Sequence, residues 1–424
     1  MRIISPIKDK WLGFFLNIVI ALRFFYPFHR NPLDFLFTDP GAHWRSAESL
    51  FLPSFLRGYM PSGYQFYLYF IRSITSDSRF GIAFCTGILC ALLPWLWYRI
   101  CKKFIPQERL ALLCAICIGL MPSLFFNYAF FMDESLMLDV TAAAILLSLH
   151  YLDKRAGALF LWQTIMWTFA MLTKLPVIPV AILFWTYSLF KVRPPLQTLV
   201  SAILISALMI TCAGFKNAIS THFFSPFGIP QMNAIYVNST ASTLHIKYDN
   251  NQNYNYESPS ILSNPLEPFG HWQSARQGDE TITIHSDQGR KDWDRELSAL
   301  PFHFASYINQ VRDNIIYFFF APSWTETTIK GFEGSLIRFS RWIWFPLMLF
   351  IITGLVAQPW NYDTRTGHFL FITLFMVVAM LLQNSAIMEG RYRKLLEPML
   401  ITSGFIIYTS RNRRRLSQPT AYDV

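Results

Sequence analysis

Charged residues are scarce in this chain. Asp, Glu, Lys and Arg supply 15% of its 424 residues, whereas 53% are hydrophobic and the mean hydropathy is +0.30. Soluble domains usually contain about 25% charged residues, so the composition excludes a water-soluble globular protein of this size. We therefore predict an integral membrane protein.

Cysteine is missing from all the long polar segments. The six cysteines lie inside or at the edge of apolar runs, at Cys85, Cys90, Cys101, Cys114, Cys117 and Cys212. The fold therefore does not depend on disulfide bonds outside the membrane. Neither the cysteine spacing nor any histidine partner indicates a metal site, so we expect no cofactor, and no motif supports a divalent metal ion.

Three further absences narrow the function. The chain has no Gly-rich phosphate-binding loop, which argues against a nucleotide-binding site. Its formal charge of +10 is spread over short basic clusters between apolar runs rather than along one polar face, which disfavours nucleic acid as a partner. No small-residue cleavage site follows the first apolar run, so we predict that this run stays in the protein as its first helix.

What the chain does contain is a series of apolar runs long enough to cross a bilayer. We predict an all-α, polytopic bundle of about ten transmembrane helices. The predicted spans are residues 11–27, 80–100, 110–130, 136–152, 156–172, 177–190, 199–213, 337–356, 369–382 and 395–408.

Basic residues fall on alternate connections between these spans, as the positive-inside rule requires. With the N-terminus inside, the inner connections hold Lys102, Lys103, Arg109, Lys154, Arg155, Lys191, Arg193, Arg365 and the arginine-rich tail after residue 410. The pattern predicts cytoplasmic N- and C-termini. Together with the cysteine-free polar loops, it favours a bacterial inner membrane.

This topology divides the chain into three parts. Residues 1–213 form an N-terminal transmembrane module with a first outer loop at 28–79, residues 214–336 form an extracytoplasmic loop region, and residues 337–424 hold the last spans and a basic tail. In the loop region ETITIH alternates like a short strand, and the segment ending in NIIYFFF is typical of a helix approaching the membrane. We therefore predict a small region of mixed structure there.

The first outer loop concentrates ionisable residues beside the bilayer. It carries Asp39, His43, Arg45 and Glu48. Ionisable groups held so close to a membrane indicate a functional site. Asp39-Pro40-Gly41 alone is typical of a turn, and the aromatic stretch after these residues predicts short helices lying in the interface.

Later outward turns add charges of both signs. Asp133 and Glu134 open one span, where helix capping is the structural alternative, and Asp139 lies further inside that span, where it needs a partner or a polar cavity. Lys174 lies at the outer end of another span. A lysine there either reaches the lipid headgroups or meets an anion.

Two arginines, Arg391 and Arg393, follow in the motif EGRYR on the outer side of the last span. Their planar guanidinium groups suit a phosphate or pyrophosphate, and an ion pair with Glu389 is the structural alternative. With these residues, several charged turns converge on one face, as a site at the membrane surface requires.

Taken together, these motifs resemble the GT-C superfamily of polytopic glycosyltransferases, in particular the branch with protein O-mannosyltransferases and the lipid A aminoarabinose transferase. The resemblance is carried by TDPGAHWR in the first outer loop, DE and a following Asp at the second outward turn, TK at the third, and EGRYR before the last span. It covers most of the membrane portion. A large soluble C-terminal domain has no counterpart here.

The resemblance implies an inverting transferase. Its donor would be a sugar linked to polyprenyl phosphate, and its acceptor a hydroxyl of a glycan, lipid or protein on the extracytoplasmic face. By position, Asp39 is similar to the family's general base, although this chain has Asp-Pro where the family commonly has Asp-Glu. Either Asp133 or Glu134 matches the second acidic residue.

The same resemblance assigns the cations. Lys174, Arg391 and Arg393 match groups that bind the lipid phosphate, where charge gathers as the donor bond breaks. The other charged residues are expected to have supporting roles: His43, Arg45, Glu48 and Asp139.

Two alternatives remain open. A transporter or flippase for a lipid-linked or polar substrate would line its path with intramembrane charges such as Asp139. The sequence shows no internal repeat, and its polar residues cluster at the ends of spans, which favours the enzyme. Within the enzyme class, a ligase that moves a whole glycan is also compatible with these motifs.

Overall fold

A computed structural model gives the architecture of the chain. It describes residues 9–51, 61–221, 224–227, 243–248, 253–257, 279–284, 304–320, 329–357, 364–383 and 390–417. Most of these residues lie in helices, which confirms the predicted helical fold. Arg391 lies in a described helical turn, but its side chain is outside the described part of the structure.

The α-helices in chain order are α1 (Lys10–His29), α2 (Thr38–Ser46), α3 (Ser62–Thr75), α4 (Arg79–Phe104), α5 (Glu108–Leu120), α6 (Pro122–Phe125), α7 (Asp133–Lys154), α8 (Gly157–Thr173), α9 (Ile178–Lys191), α10 (Leu196–Thr221), α11 (Phe304–Phe320), α12 (Gly331–Val356), α13 (Arg365–Leu382) and α14 (Glu397–Ser417). Short 3₁₀ turns lie at Pro32–Asp34, Phe126–Ala129, Leu175–Val177 and Gly390–Leu395.

Six of the described helices are long and apolar enough to cross a membrane, namely α1, α4, α7, α10, α12 and α13. Helix α5 and the turns that follow it make a seventh span if the pair, bent by 64°, is counted as one. Helices α8 and α9 are shorter and apolar. The structure thus supports a polytopic membrane protein, while the total of about ten spans stays a prediction.

Helix α7 lies at the centre of the bundle. Of its apolar stretch 78% is buried, compared with 17% for α10. Its middle is built from small and aliphatic residues, including Ala142, Ala144, Ile145 and Leu149, which are all fully buried. A helix that is apolar all round belongs inside a bundle, so the chain places the helix that begins with Asp133 at its core.

Ion pairs join the helix termini at one end of the bundle, which we call the Asp153 end. There Asp153 of α7 binds both Lys103 of α4, at 2.6 Å, and Arg365 of α13. Three helices that are distant in sequence are therefore fixed at the same level.

The opposite end, which we call the Lys174 end, has its own pairs. Arg30 after α1 binds Glu333 of α12 at 3.0 Å, and Arg79 of α4 binds Asp34 at 2.7 Å. Successive helices run between the two ends, as the predicted alternation of connections requires. Which end faces the cytoplasm stays a prediction.

Three short strands lie between α10 and α11. Strand β1 (Thr243–Tyr248) pairs antiparallel with β2 (Asn253–Glu257) and parallel with β3 (Asp279–Ile284). Strand β3 contains the ETITI segment that alternation had predicted to be extended. Helix α11 contains the predicted membrane-approaching segment. Mixed structure in this region is therefore confirmed for its described residues.

The connection between α1 and α4 contains the short helices α2 and α3. Arg72 of α3 holds α2 in place, because its guanidinium lies 4.4 Å from the ring centroid of Trp44 and donates to the Trp44 carbonyl at 2.8 Å. The expected turn at Asp39-Pro40-Gly41 is wrong, since these residues form the first turn of α2. Proline is tolerated there because the first helical N–H groups have no partner within the helix.

Candidate active site

Three of the predicted site residues meet at the Lys174 end. The ammonium of Lys174 donates to Asp133 Oδ1 at 2.6 Å and to Glu134 Oε1. The side chains are 11%, 8% and 0% exposed for Lys174, Asp133 and Glu134. One cation therefore faces two carboxylates in a nearly enclosed position, where electrostatic interactions are stronger than in water.

The helix termini put these groups together. Helix α7 begins at Asp133, so both carboxylates lie at the positive end of the helix dipole. Helix α8 ends at Thr173, and Lys174 follows in an extended conformation with φ −160° and ψ 130°. That change of backbone direction comes two residues before Pro176, which cannot continue the hydrogen bonding of α8.

The first turn of α3 packs against the end of α8 at Gly63. A Cβ atom on Gly63 would lie 2.7 Å from Thr173 Oγ1 and 2.8 Å from the Thr173 nitrogen. Only glycine permits such a close approach of two backbones. The first turn of α3 is thereby held against the residue that precedes Lys174.

Tyr64 connects the first outer loop with the carboxylates. Its ring packs edge-on against the buried His43 ring of α2, with 5.0 Å between centroids. Burial raises the pKa of Tyr64, and the nearby carboxylates of Asp133 and Glu134 raise it further. Tyr64 therefore stays a neutral phenol at physiological pH, and Ser135 is its hydrogen-bond partner.

Of the remaining predicted residues of the first loop, Asp39 and Arg45 lie on α2, and Glu48 follows it. Asp39, in the first turn of α2, is partly exposed, and Arg45 and Glu48 are exposed. The structure thus brings His43 to the Tyr64 side of the site and leaves Arg45 and Glu48 at the surface. Trp44 stacks on Phe131, just before α7, with 4.5 Å between ring centroids and 12° between planes.

Sequence reasoning missed a second buried lysine at this end. Lys216, near the end of α10, is fully buried and donates to the Gln65 side-chain oxygen of α3. Its neighbour Asn217 accepts from Ser62 Oγ at 3.5 Å. Lys216 lies just after the predicted span 199–213, at the end that the sequence predicts to face outward. The same signal pointed to Lys174, so the pattern could have identified Lys216.

Asp139 is held away from Lys174 by a different partner. It is buried and accepts a hydrogen bond from the Tyr128 hydroxyl at 2.7 Å. The Tyr128 ring in turn lies 5.1 Å from the guanidinium of Arg23, which is fully buried in α1. Asp139 was expected to need a partner because it lies inside a predicted span, and Tyr128 is that partner. Arg23 was missed although an arginine within an apolar span is a signal in itself.

Arg393 of the EGRYR motif also makes buried contacts. Arg393 is buried, donates to Glu397 Oε1 at 2.9 Å, and donates to the Phe318 carbonyl of α11 at 3.1 Å. Ser123 donates to the other oxygen of Glu397 at 2.7 Å. These contacts are with the protein itself, and they connect the motif to α6 and α11.

No group of three or more His, Cys, Asp or Glu side chains that could hold a metal ion occurs within the described ranges. The cluster at Lys174 has two carboxylates with an ammonium between them, which is an unfavourable arrangement for a divalent cation. The expectation of a cofactor-free site stays a prediction.

An apolar cavity of about 430 Å³ lies between α8, α9 and α10. Its lining includes Trp167, Met171, Ile182, Trp185, Ile203 and Ile210. Met171 is one helical turn from Lys174, so one end of the cavity lies close to the charged cluster.

The chain was compared with known protein families. Residues 60–214 match the dolichyl-phosphate-mannose-protein mannosyltransferase family, a GT-C superfamily domain. A comparison with curated proteins finds no significant match.

The matched segment contains α3 to most of α10, and with them Tyr64, Asp133, Glu134 and Lys174. It begins after Asp39 and ends before Arg391. The family confirms the resemblance seen in the sequence and supports a membrane glycosyltransferase of the GT-C type. Over residues 60–214, which include the Lys174 cluster, this chain is similar to the dolichyl-phosphate-mannose-protein mannosyltransferase family.

Proposed function

We propose that the protein moves a sugar from a polyprenyl-phosphate-linked donor to an acceptor hydroxyl, with inversion at the anomeric carbon. The observation that carries the proposal is the contact of Lys174 with Asp133 and Glu134 at one end of a membrane bundle. Helix α2, which carries Asp39, lies beside this end through the His43 and Tyr64 contact.

The proposed chemistry needs one base and one cation. Asp39 takes the proton of the acceptor hydroxyl as its oxygen attacks C1 of the sugar. The bond from C1 to the phosphate oxygen breaks, and the leaving polyprenyl phosphate keeps the electron pair. Lys174 exchanges a carboxylate partner for a phosphate oxygen and stabilises the charge that gathers there. Asp133 or Glu134 orients Lys174 before the donor binds.

A lipid-linked donor fits the apolar surroundings. The cavity between α8, α9 and α10 is lined mainly by apolar side chains, and Met171 in its lining is one turn from Lys174. An isoprenoid chain in this cavity would leave its phosphate near the ammonium. The absence of a Gly-rich phosphate loop from the sequence is consistent with a donor that carries no nucleotide.

We place the reaction on the extracytoplasmic side. Lys103 and Arg365 lie at the Asp153 end, and the basic residues of that end fit the cytoplasmic side under the positive-inside rule. The Lys174 end then faces outward, in a bacterial inner membrane on our interpretation of the polar loops. The acceptor could be a glycan, lipid or protein hydroxyl.

The phosphate role falls first to Lys174. Arg393 is bound to Glu397 and to a carbonyl, and its side chain is only 2% exposed. The Lys174 side chain is 11% exposed and lies within the segment that matches the family. Arg391 stays a candidate from the sequence. We therefore propose Lys174 as the principal phosphate ligand, and Arg391 and Arg393 as secondary ones.

The test is reconstitution of the purified protein in vesicles with a synthetic polyprenyl-phosphate sugar and a panel of acceptors. The expected result is a new glycosidic product with inverted anomeric configuration, identified by mass spectrometry and NMR. Movement of the donor across the vesicle without a new glycosidic bond would instead establish the transporter. Donors with one sugar and with an oligosaccharide, compared side by side, distinguish single-sugar transfer from glycan ligation.

A further inference from the structure

The span that follows α4 is broken near the Lys174 end of the bundle. Helix α5 ends at Leu120, Met121 is extended, and α6 begins with Pro122, with a bend of 64° between the two parts. Proline has no N–H to donate, so carbonyl groups in the last turn of α5 lose their helical partners. In an apolar environment such carbonyls need another donor.

Arg23 of α1 supplies that donor. Its Nη1 donates to the Gly119 carbonyl at 2.9 Å, before the bend, and its Nη2 donates to the Leu124 carbonyl at 3.3 Å, after the bend. Its Nε donates to the Cys90 carbonyl of α4 at 2.6 Å. One guanidinium therefore fixes both halves of the broken span relative to α1 and α4.

Two aromatic rings stabilise the positive charge of Arg23 through cation–π contacts. The guanidinium lies 5.2 Å from the Phe125 ring centroid and 5.1 Å from that of Tyr128. Tyr128 donates to the carboxylate of Asp139 on α7 at 2.7 Å. The bend is thus connected by direct contacts to α7, the helix that begins with the site carboxylates.

The chain that leaves the bend supports α2. Phe130 packs against Phe35 at 5.0 Å and against Phe37 at 6.4 Å between ring centroids. The next residue, Phe131, stacks on Trp44. The rings of Phe130 and Phe131 therefore pack against α2, which carries Asp39 and His43, and against the residues just before it.

We propose that Arg23 is a positioning residue, which fixes the bend after α5 and through Phe130 and Phe131 sets the place of α2 at the active site. This inference rests on the proposed function for its kinetic consequence. Its structural consequence, the fixed position of α2, needs no substrate.

The experiment is hydrogen–deuterium exchange on purified protein in nanodiscs, followed by kinetics with a polyprenyl-phosphate sugar. Arg23→Lys keeps the charge but cannot span three carbonyls with a planar fork. We expect about tenfold faster exchange in residues 35–48 and unchanged exchange in Leu196–Ile219. We also expect kcat to fall about tenfold with donor KM within about twofold, because only the placement of the base changes.

Two further variants keep the test decisive. Arg30→Lys, at the end of the same helix and paired with Glu333, is the matched control and should change neither readout. Phe131→Ala leaves Arg23 intact but removes the stack with Trp44, and should reproduce the selective exchange even if Arg23→Lys fails to fold.

Unchanged exchange in residues 35–48 of Phe131→Ala, or of a folded Arg23→Lys, would overturn the proposal, as would equal loosening of all helices. A wild-type protein without transferase activity would refute the proposed function alone, because the exchange measurement does not depend on it.

Discussion

Lys174 binds Asp133 across the open end of a helical hairpin, with 2.6 Å between Nζ and Oδ1. Helices α7 and α8 form that hairpin, and Glu134 shares the same ammonium. Because the three side chains are almost enclosed, removing Lys174 takes its cation away from two buried carboxylates. This relationship makes Lys174 the first residue to test.

Lys174→Met is expected to abolish transfer and to destabilise the protein by about 3–5 kcal/mol, because two buried carboxylates lose their cation. Lys174→Arg should recover part of the stability, since the guanidinium keeps the charge. Thermal unfolding and initial transfer rates measure the two effects. Lys103→Met is the matched control, because Asp153 retains Arg365 at the opposite end of the bundle. Full activity in Lys174→Met would exclude Lys174 from the reaction.

Asp39→Asn is expected to reduce kcat by at least about 10²-fold while expression and donor binding stay unchanged, because the amide cannot accept the acceptor proton. The rate is measured with a lipid-linked sugar donor, and donor binding by a separation assay. Glu48→Gln, an exposed change close to α2, should keep normal activity. Retained transfer in Asp39→Asn would remove Asp39 as the base.

Gly63→Ala is expected to destabilise the protein by about 1–3 kcal/mol, because its Cβ would collide with the backbone of Thr173. Activity should fall together with stability, since α3 must move away from Lys174. Gly354→Ala is the comparison, where the nearest atoms are the flexible side-chain atoms of Ile407 at 3.3 Å and beyond. Equal melting temperatures for wild type and Gly63→Ala would contradict the close approach of α3 and α8.

The two arginines of EGRYR should separate in their effects. Arg391→Ala is expected to raise the apparent donor KM about tenfold, because the sequence predicts that its guanidinium binds the donor phosphate. Arg393→Ala should lower the melting temperature, because it leaves the fully buried Glu397 without its cation. An unaltered donor KM in either variant would exclude that arginine from the phosphate site.

Much of the bundle could be predicted from the sequence because apolar length and the positions of Lys and Arg follow simple physical rules. Lys174 was identified this way, because a lysine at the predicted outer end of a span is expected to bind an anionic partner. The partner could not be chosen from the sequence, because Asp133 and Glu134 are adjacent and only the start of α7 places both beside Lys174. At Asp39-Pro40-Gly41 the local prediction itself was wrong. These residues favour a turn in isolation, but in the structure they begin α2, which packs on α3.

The broken span was predictable in part. Pro122 lies within the apolar run 110–130, and a proline there ends or kinks a helix. Which residue compensates the freed carbonyls could not be predicted, because Arg23 is distant in the chain and its reach depends on how α1 packs. The contact of Arg393 with the Phe318 carbonyl was hidden for the same reason, since α11 is distant in the chain, whereas Glu397 lies only four residues after Arg393.

The hairpin of α7 and α8 also bears on how the protein enters the membrane. Lys174 and Asp133 are separated by 41 residues in sequence, whereas Ser123 and Glu397 are separated by 274. Chains are synthesised from the N-terminus, so the first contact can form as soon as the hairpin has emerged, long before α14 exists. A charge that is already neutralised by its neighbour is cheaper to hold at the edge of a bilayer. The cluster proposed to act on the donor would then also ease co-translational insertion of the hairpin that carries it.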